Sequence, residues 1–265
     1  MRQLVSKTPL DKNGCLQITQ NDFVHLRRVL RIKVGDMIFV RLPNGELSSM
    51  TVSTIDDAKK IACLQVCTIS ENTKAENFFR GEQATETACS QIDFTLLQCV
   101  LKIQTFELIV RQATECGVKN IIPIASDYSQ AQFVKAMQAD TRAIRFQKII
   151  KEAREQSGSA IDTKLYEVMT MENALQFLES QSNGARANFV LYERADFCVD
   201  MKTLSIGKDI SSIALFVGSE GGISPSEIDV LRDRSFIPIH IHDNILKAET
   251  ATLYGIAVVQ ARMRD

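Results

Sequence analysis

Residues 215–227 read LFVGSEGGISPSE, and this stretch decides the interpretation of the whole chain. The apolar run that ends at Val217 is typical of a strand buried on both faces. The glycines at 218, 221 and 222 then allow the backbone to turn sharply and to approach a ligand closely. Ser224 stands three residues before Glu227, with Pro225 between them, which predicts a capped helix. A strand, a glycine-rich turn and a helix in this order can build a small-molecule pocket.

A second junction of the same kind follows along the chain. Residues 236–242 (FIPIHIH) are strand-like, and residues 245–257 (ILKAETATLYGIA) have helical character. Ligands of open α/β sheets bind at the carboxyl ends of strands. We therefore expect the two turns to share one ligand.

Strand-like and helical segments alternate from residue 92 onward. The apolar runs are Phe94–Val100, Ile121–Ile124, Asn188–Tyr192 and Ile213–Val217, and the helical segments lie near 104–116, 141–156, 171–181 and 225–234. This alternation predicts an α/β fold with a mostly parallel sheet and helices on both faces.

The amino-terminal part has a different pattern. Short β-rich pieces at 37–40, 50–52 and 61–67 are separated by polar turns, and Pro43-Asn44-Gly45 predicts a hairpin. These features favour a small β-barrel. The following residues are polar and lack apolar periodicity, as expected of a linker. We predict a β-barrel domain at 1–70, a linker at 71–91 and an α/β domain at 92–265.

Positive charge is concentrated in one segment near the amino terminus. The formal net charge is −1, so contact with nucleic acid would have to use patches of positive charge. Residues 24–35 contain Arg27, Arg28, Arg31 and Lys33 and no acidic residue. The segment is either an ordinary solvated helix face or an RNA contact.

Other function classes are disfavoured. The seven cysteines form no Cys-x-x-Cys pair, which favours reduced thiols over disulfides or a metal site. His240 and His242 share a strand face without an evident third ligand, so no metal is expected. The sequence shows neither a phosphate-binding Gly-Lys-Ser/Thr loop nor a dinucleotide fingerprint. No apolar run is long enough for a membrane span, and we expect a cytoplasmic protein.

Several motifs together resemble one known family. GSEGGIS at 218–224 and ILKAETA at 245–251 are similar to the paired motifs of the RsmE family, the 16S ribosomal RNA uracil-N(3) methyltransferases of the SPOUT superfamily. HLRRVLR at 25–31, Lys102, FE at 106–107, ATECGV at 113–118 and EQSG at 155–158 follow the order of that family. The resemblance extends over nearly the whole chain.

The resemblance implies a specific architecture and ligand. It implies a PUA-like RNA-binding barrel, a carboxyl-terminal trefoil knot and a homodimer that acts on 16S rRNA in the small ribosomal subunit. Lys102 would contact RNA together with the amino-terminal basic residues. The residues implied to bind S-adenosylmethionine are Phe216, Val217, Gly218, Glu220, Gly221, Gly222, Ile241, Leu246, Ala248 and Thr250.

Two carboxylates are candidates for the chemistry. A pyrimidine imide nitrogen is weakly acidic and is blocked in paired RNA, so the base must be exposed and its proton removed. Glu220 and Glu249 lie nearest the predicted pocket and are the candidate catalytic residues. Each also has a structural alternative, because Glu220 can bond turn amides and Glu249 can favour the dipole at a helix start.

Departures from the family pattern leave alternatives open. Ser219 stands in place of a usual proline, His242 in place of a glycine, and Gln112 in place of a lysine; Tyr128, Ser159, Asn244 and Lys247 stand in place of arginines. Lysine does not reproduce the planar fork of arginine. A catalytically weakened RNA-binding or assembly protein, or a SPOUT methyltransferase with another RNA target, therefore remains an alternative to the active enzyme.

Overall fold

A computed structural model describes residues 3–67, 92–181, 184–194, 197–207, 209–241 and 244–263. The chain divides into two compact units. The first comprises Met1–Glu86 with Arg154–Ala160, and the second comprises Thr87–Ala153 with Ile161–Asp265. The predicted linker at 71–91 lies outside the described residues.

The first unit contains a five-stranded sheet. Its strands are β1 (Gln3–Val5), β2 (Cys15–Thr19), β3 (Met37–Arg41), β4 (Leu47–Asp56) and β5 (Ile61–Val66), in the order β1-β3-β4-β5-β2. The β1–β3 pair is parallel and the other pairs are antiparallel. Helix α1 (Gln20–Arg28) contributes Phe23 and Leu26 to the core of this unit. The predicted hairpin is confirmed, because β3 and β4 pair across it and Gly45 has a φ of 86°. Whether the sheet closes as a barrel stays a prediction.

The second unit is built on an eight-stranded sheet. Its strands are β6 (Asp93–Cys99), β7 (Asn120–Ala125), β8 (Lys164–Leu165), β9 (Met169–Thr170), β10 (Ala185–Leu191), β11 (Val199–Asp200), β12 (Ile210–Val217) and β13 (Phe236–His240). The order is β11-β13-β10-β12-β6-β7-β8, and β9 also pairs with β7. Every pairing between the described strands of this sheet is parallel. The predicted mostly parallel sheet is confirmed.

Helices cover both faces of this sheet. They are α2 (Ile103–Glu115), α3 (Ala131–Met137), α4 (Asp140–Ser157), α5 (Met171–Ser180), α6 (Pro225–Asp233) and α7 (Ala248–Arg262). Strand β12 shows the two faces: Ile213 and Leu215 belong to one apolar cluster with residues of α2, α4 and α7. Ala214 and Phe216 belong to a second cluster with residues of α5 and α6. Because alternate residues of a strand point to opposite faces, β12 is buried on both sides, as its apolar run predicts.

Two predicted boundaries are wrong. The helical segment predicted from Ile245 begins at Ala248, because Lys247 has an extended backbone (φ −62°, ψ 152°). The Ile245 side chain is 89% exposed. It therefore does not pack on the core, and no burial of this side chain stabilises an additional helical turn. Strand β13 ends at His240, two residues before the predicted end.

Candidate functional site

The candidate site lies at one edge of the parallel sheet. Because the strands are parallel, the segments that follow β6, β7, β10, β12 and β13 leave the sheet at the same edge. The glycine-rich turn follows β12, near the middle of this row of strands. The predicted junction after β13 lies two strands away, with β10 between them. The sheet therefore brings the two predicted junctions to one edge.

The turn after β12 is compact. Gly222 has a φ of 79° and donates its N–H to the Ser219 carbonyl at 3.0 Å. A Cβ atom added to Gly218 would lie 2.7 Å from the Gly222 oxygen, well inside van der Waals contact. Both positions require glycine, Gly218 for space and Gly222 for its left-handed backbone. This result gives a physical reason for two of the three glycines singled out in the sequence.

The helix after the turn is capped as predicted. The Ser224 hydroxyl accepts the Glu227 N–H at 3.2 Å, and Glu227 Oε2 accepts the Ser224 N–H at 2.9 Å. The cap also reaches the loop after β7. Glu227 Oε1 accepts the Asp127 N–H at 2.8 Å, and the Ser224 hydroxyl donates to Asp127 Oδ2 at 2.6 Å. Glu227 is therefore buried and satisfied, and it joins two loops of the same edge.

The buried side-chain amide of Gln98 hydrogen-bonds to the glycine-rich turn. Gln98, at the end of β6, is fully buried and donates from Nε2 to the Gly218 carbonyl at 3.1 Å. Its side-chain oxygen accepts the Thr252 hydroxyl of α7. The start of α7 is thus tied to the turn through a single side chain.

The residues predicted to bind the methyl donor, S-adenosylmethionine, lie in two segments: the glycine-rich turn after β12 and the segment from the end of β13 to the start of α7. In the first segment Phe216, Val217 and Gly218 are buried, Gly222 is half-buried, and Glu220 and Gly221 are exposed. In the second, Ala248 is buried, Ile241 and Leu246 are half-buried, and Thr250 is exposed. The first segment therefore consists mostly of small residues, which leave their main-chain groups open to a ligand. Glu220 is its exposed charged residue.

Besides Asp127 and Glu227, the edge holds the carboxylates of Glu220, Glu249 and Glu193. Glu220 Oε1 lies 3.5 Å from the main-chain nitrogen of Lys102, a long contact that leaves most of this exposed carboxylate to solvent. Glu249 is half-buried in the first turn of α7. Glu193 was missed by the sequence reasoning: its Oε1 lies 3.2 Å from the position of a Cβ on Gly222. The available signal in the sequence was its position two residues after the end of β10, where ligands of parallel sheets bind.

Other polar groups near the edge have structural environments. Burial raises the pKa of the Cys99 thiol to about 12, so this group remains protonated. Burial also raises the pKa of Tyr192, whose ring stacks on Phe197 with centroids 5.6 Å apart. His240 Nδ1 lies 3.1 Å from the Tyr192 carbonyl. Within the described ranges no three His, Cys, Asp or Glu side chains are grouped so that they would hold a metal ion.

The predicted basic patch of the first unit divides into two kinds of residue. Arg27 is held by Asp57, with its Nε and Nη2 atoms 2.9 and 2.8 Å from the two carboxylate oxygens, and its Nη1 donates to the Ile32 carbonyl. The hydrogen bond to Asp57 raises the pKa of Arg27, and the same bond lowers the pKa of Asp57. Arg28, Arg31 and Lys33 are exposed beside it.

These residues line one groove on the first unit. Its lining is Phe23, Val24, Arg27, Arg28, Arg31, Lys33, Asp57 and Lys60. Arg31 has a φ of 55°, a left-handed backbone that is uncommon outside glycine. The exposed Arg28, Arg31 and Lys33 offer positive charge to a ligand, whereas Arg27 is neutralised by Asp57. Lys102, in the second unit, is also exposed.

Helices of the described ranges are all too short or too polar to cross a membrane.

Comparisons with known proteins agree with this geometry. A family model described as an RNA methyltransferase domain matches residues 88–260. Ribosomal RNA small subunit methyltransferase E of Aquifex aeolicus is 26% identical over 231 residues, covering 85% of this chain and 94% of its own length. A Borreliella burgdorferi protein, ribosomal RNA small subunit methyltransferase E 2, is 26% identical over 249 residues, covering 91% of this chain and 88% of its own.

A solved structure shares the fold. The ribosomal RNA small subunit methyltransferase E of Neisseria gonorrhoeae, solved with bound S-adenosyl methionine, superposes with a TM-score of 0.75 at 20% identity, covering 98% of this chain and 97% of its own. The family model spans more than half of the present chain, including both strand-to-turn junctions. The chain therefore belongs to the RNA methyltransferase domain family, and within it to the RsmE group that its motifs resemble.

Proposed function

We propose that this protein transfers a methyl group from S-adenosylmethionine to N3 of a uridine in small-subunit ribosomal RNA. The observation that carries the proposal is the compact turn at 218–222, which follows β12 at this edge of the sheet: Gly218 has no room for a side chain, Gly221 is exposed and Gly222 is half-buried. A glycine-lined backbone of this kind can approach a ligand closely. The family membership and the names of the relatives support the same reaction.

The residues at the edge fit the methyl donor. S-Adenosylmethionine, when bound, supplies an electrophilic methyl group on a positively charged sulfur. Glu193, Glu220 and Glu249 are carboxylates in the segments that leave this edge, and a carboxylate close to the sulfur would favour its positive charge. Half-buried Ile241 and Leu246 offer apolar contact for a flat ring. Positioning the donor and the acceptor nitrogen in line would supply most of the rate advantage.

The reaction also requires removal of the proton on N3 of the target uridine. We assign the acceptor role to Glu220, because its carboxylate is exposed in the turn and, among the described residues, has one long contact, to the main-chain nitrogen of Lys102. Glu249 lies in the first turn of α7, where its charge also stabilises the helix end. We assign to it the ordering of the second donor-binding segment. Removing the proton, or stabilising the resulting anion, makes the nitrogen nucleophilic.

RNA recognition is assigned to exposed cations. Arg28, Arg31 and Lys33 would neutralise phosphates from the first unit, which we propose acts as a PUA-like barrel, and Lys102 would do so from the second. We further propose that the segments following β12 and β13 form a trefoil knot, that two copies form a homodimer, and that the protein meets the small ribosomal subunit in the cytoplasm.

The test is transfer of labelled methyl from S-adenosylmethionine to small ribosomal subunits taken from a strain that lacks this protein. The modified nucleoside is then identified by mass spectrometry. A single 3-methyluridine in the 16S RNA is the expected result. Donor binding without transfer would overturn the proposal in favour of an inactive RNA-binding protein, and a different methylated nucleoside would reassign the target.

A further inference from the structure

An exposed aromatic side chain stands directly beside the glycine-rich turn. Tyr128 follows β7 and is 47% exposed. Its Cβ and Cγ atoms lie 3.0 and 3.3 Å from the position that a Cβ on Gly221 would occupy. The ring thus begins against the bare backbone of the turn and extends into solvent. A Cβ at position 221 would be in tight contact with the first atoms of the tyrosine side chain, which would have to shift by a few tenths of an ångström.

The backbone that presents Tyr128 is fixed on both sides. The Asp127 N–H donates to the buried Glu227 carboxylate at 2.8 Å. On the other side, the Ser129 hydroxyl donates to the Val100 carbonyl at 2.9 Å, and the Ser129 N–H donates to the Ser126 carbonyl at 3.0 Å. The main chain at Tyr128 is thus held before any ligand binds, so that a ligand needs to order only the side-chain torsions.

We propose that the Tyr128 ring is a stacking platform for an unpaired RNA base at the mouth of the donor site. This inference rests on the proposed function and identifies the kind of contact that orients its RNA substrate. An uncharged, half-exposed ring has no electrostatic attraction for phosphate, whereas every base has a π-face that stacks on an aromatic side chain. A base must leave its pairing partner before its N3 can react, and a stacking surface offsets part of the lost stacking.

Steady-state kinetics with small ribosomal subunits and S-adenosylmethionine provide the first test. Tyr128→Leu keeps an apolar side chain beside Gly221 but removes the ring, and we expect kcat/KM for subunits to fall about tenfold or more. Tyr128→Phe keeps the ring and should stay within about twofold of the parent, since stacking does not need the hydroxyl. The dissociation constant for S-adenosylmethionine should be unchanged in both variants. Equal kcat/KM in the leucine variant and the parent would overturn the proposal.

A second readout does not depend on turnover. The chain contains no tryptophan, so Tyr128→Trp introduces a single fluorescent reporter at this position. We expect single-stranded uridine-rich RNA to quench its emission in the presence of S-adenosylmethionine. Tyr254→Trp is the matched control, because Tyr254 is 44% exposed on α7, and its emission should not change.

The outcomes separate this inference from the proposed function. Quenching at position 128 without any methyl transfer by the parent would retain the stacking surface and reject the methylation. Methyl transfer by the parent without quenching at position 128 would reject the stacking surface alone. Quenching by S-adenosylmethionine but not by RNA would also reject it, because the ring would then cover the donor.

Discussion

The Thr252 hydroxyl lies 2.7 Å from the side-chain oxygen of Gln98, although 154 residues separate the two along the chain. Both side chains are buried, and the amide nitrogen of Gln98 donates to the Gly218 carbonyl at 3.1 Å. The hydroxyl also lies 2.8 Å from the Ala248 carbonyl, so its proton is shared between two acceptors. This contact connects the first turns of α7 to the glycine-rich turn, and thereby joins the two predicted donor-binding segments.

Breaking this contact should lower both stability and donor affinity. Thr252→Val removes the hydroxyl at nearly constant volume and leaves the Gln98 oxygen buried without that donor, which should cost about 1–3 kcal/mol in the free energy of unfolding. We expect S-adenosylmethionine binding, measured by calorimetry, to weaken as well. Thr114→Val is the matched control, since Thr114 is equally buried but bonds within α2 to the Val110 carbonyl. Equal losses of donor affinity in the two variants would contradict a link through Gln98.

The space around Gly218 gives a second prediction. Gly218→Ala places a Cβ 2.7 Å from the Gly222 oxygen, so the turn must open. We expect the variant to fold, with S-adenosylmethionine affinity reduced at least about tenfold, because the backbone groups of the turn move. Gly207→Ala is the control, because its added Cβ meets only Ile210 at an ordinary 4.0 Å. Donor binding by Gly218→Ala at the level of this control would show that the turn does not form the donor site.

The sheet could be predicted from sequence because its central strands each contain a short apolar run. The apolar run Ile213–Val217 of β12 is buried on both faces, and the capping box marks the start of α6 within one residue. The two-residue strands β8 and β11 are too short to produce such a pattern. Helix α3 was likewise not predicted, since most of its residues are only partly buried or exposed.

The site could be predicted only where all the residues of a pattern lie close together in the sequence. The glycines and the cap lie within a few residues, so their pattern is readable. The contact of Asp127 with Glu227 spans 100 residues, and neither residue marks it locally. Glu193 and Tyr128 reach the turn because parallel strands end at one edge, a property of strand order rather than of local sequence. The strand order had to be seen before these two residues could be placed.

The assignment of the proton acceptor makes a third prediction. Glu220→Gln keeps the shape of the side chain but removes its basicity, and kcat for methyl transfer should fall about 100-fold, within the range typical of acid–base groups. The affinity for S-adenosylmethionine should change little. Glu249→Gln and Glu193→Gln are the matched comparisons, and each should lower kcat less than about tenfold. A larger loss in either comparison than in Glu220→Gln would transfer the acceptor role to that residue.

The basic groove of the first unit can be tested through salt dependence. Arg28→Ala combined with Arg31→Ala should weaken RNA binding at all sequences and reduce the slope of log affinity against log salt by about 2, since two phosphate contacts are lost. Arg27→Ala should leave this slope nearly unchanged, because Asp57 already neutralises that guanidinium. Filter binding of 16S RNA fragments over a series of salt concentrations would measure both. An unchanged slope in the double variant would show that the groove is ordinary surface.

The buried thiol of Cys99 makes stability depend on alkaline pH. Its pKa is raised from 9.0 to about 12 by burial, so the folded state keeps the thiol neutral while the unfolded state ionises it. A group whose pKa is raised on folding gives its full contribution below the unfolded value and loses it as the pH rises towards the folded value. Between pH 8 and 10 the thiol should therefore lower the free energy of unfolding by about 1.4 kcal/mol.

Urea unfolding of the parent and of Cys99→Ala at the two pH values isolates this effect. The alanine variant leaves a small cavity and should be less stable at both pH values by the same amount, which cancels when each protein is compared with itself. Other groups that titrate in this range contribute equally to both proteins. The decline from pH 8 to 10 should therefore be shallower in Cys99→Ala. Identical declines in the two proteins would mean that the Cys99 thiol ionises as readily in the folded state as in the unfolded chain.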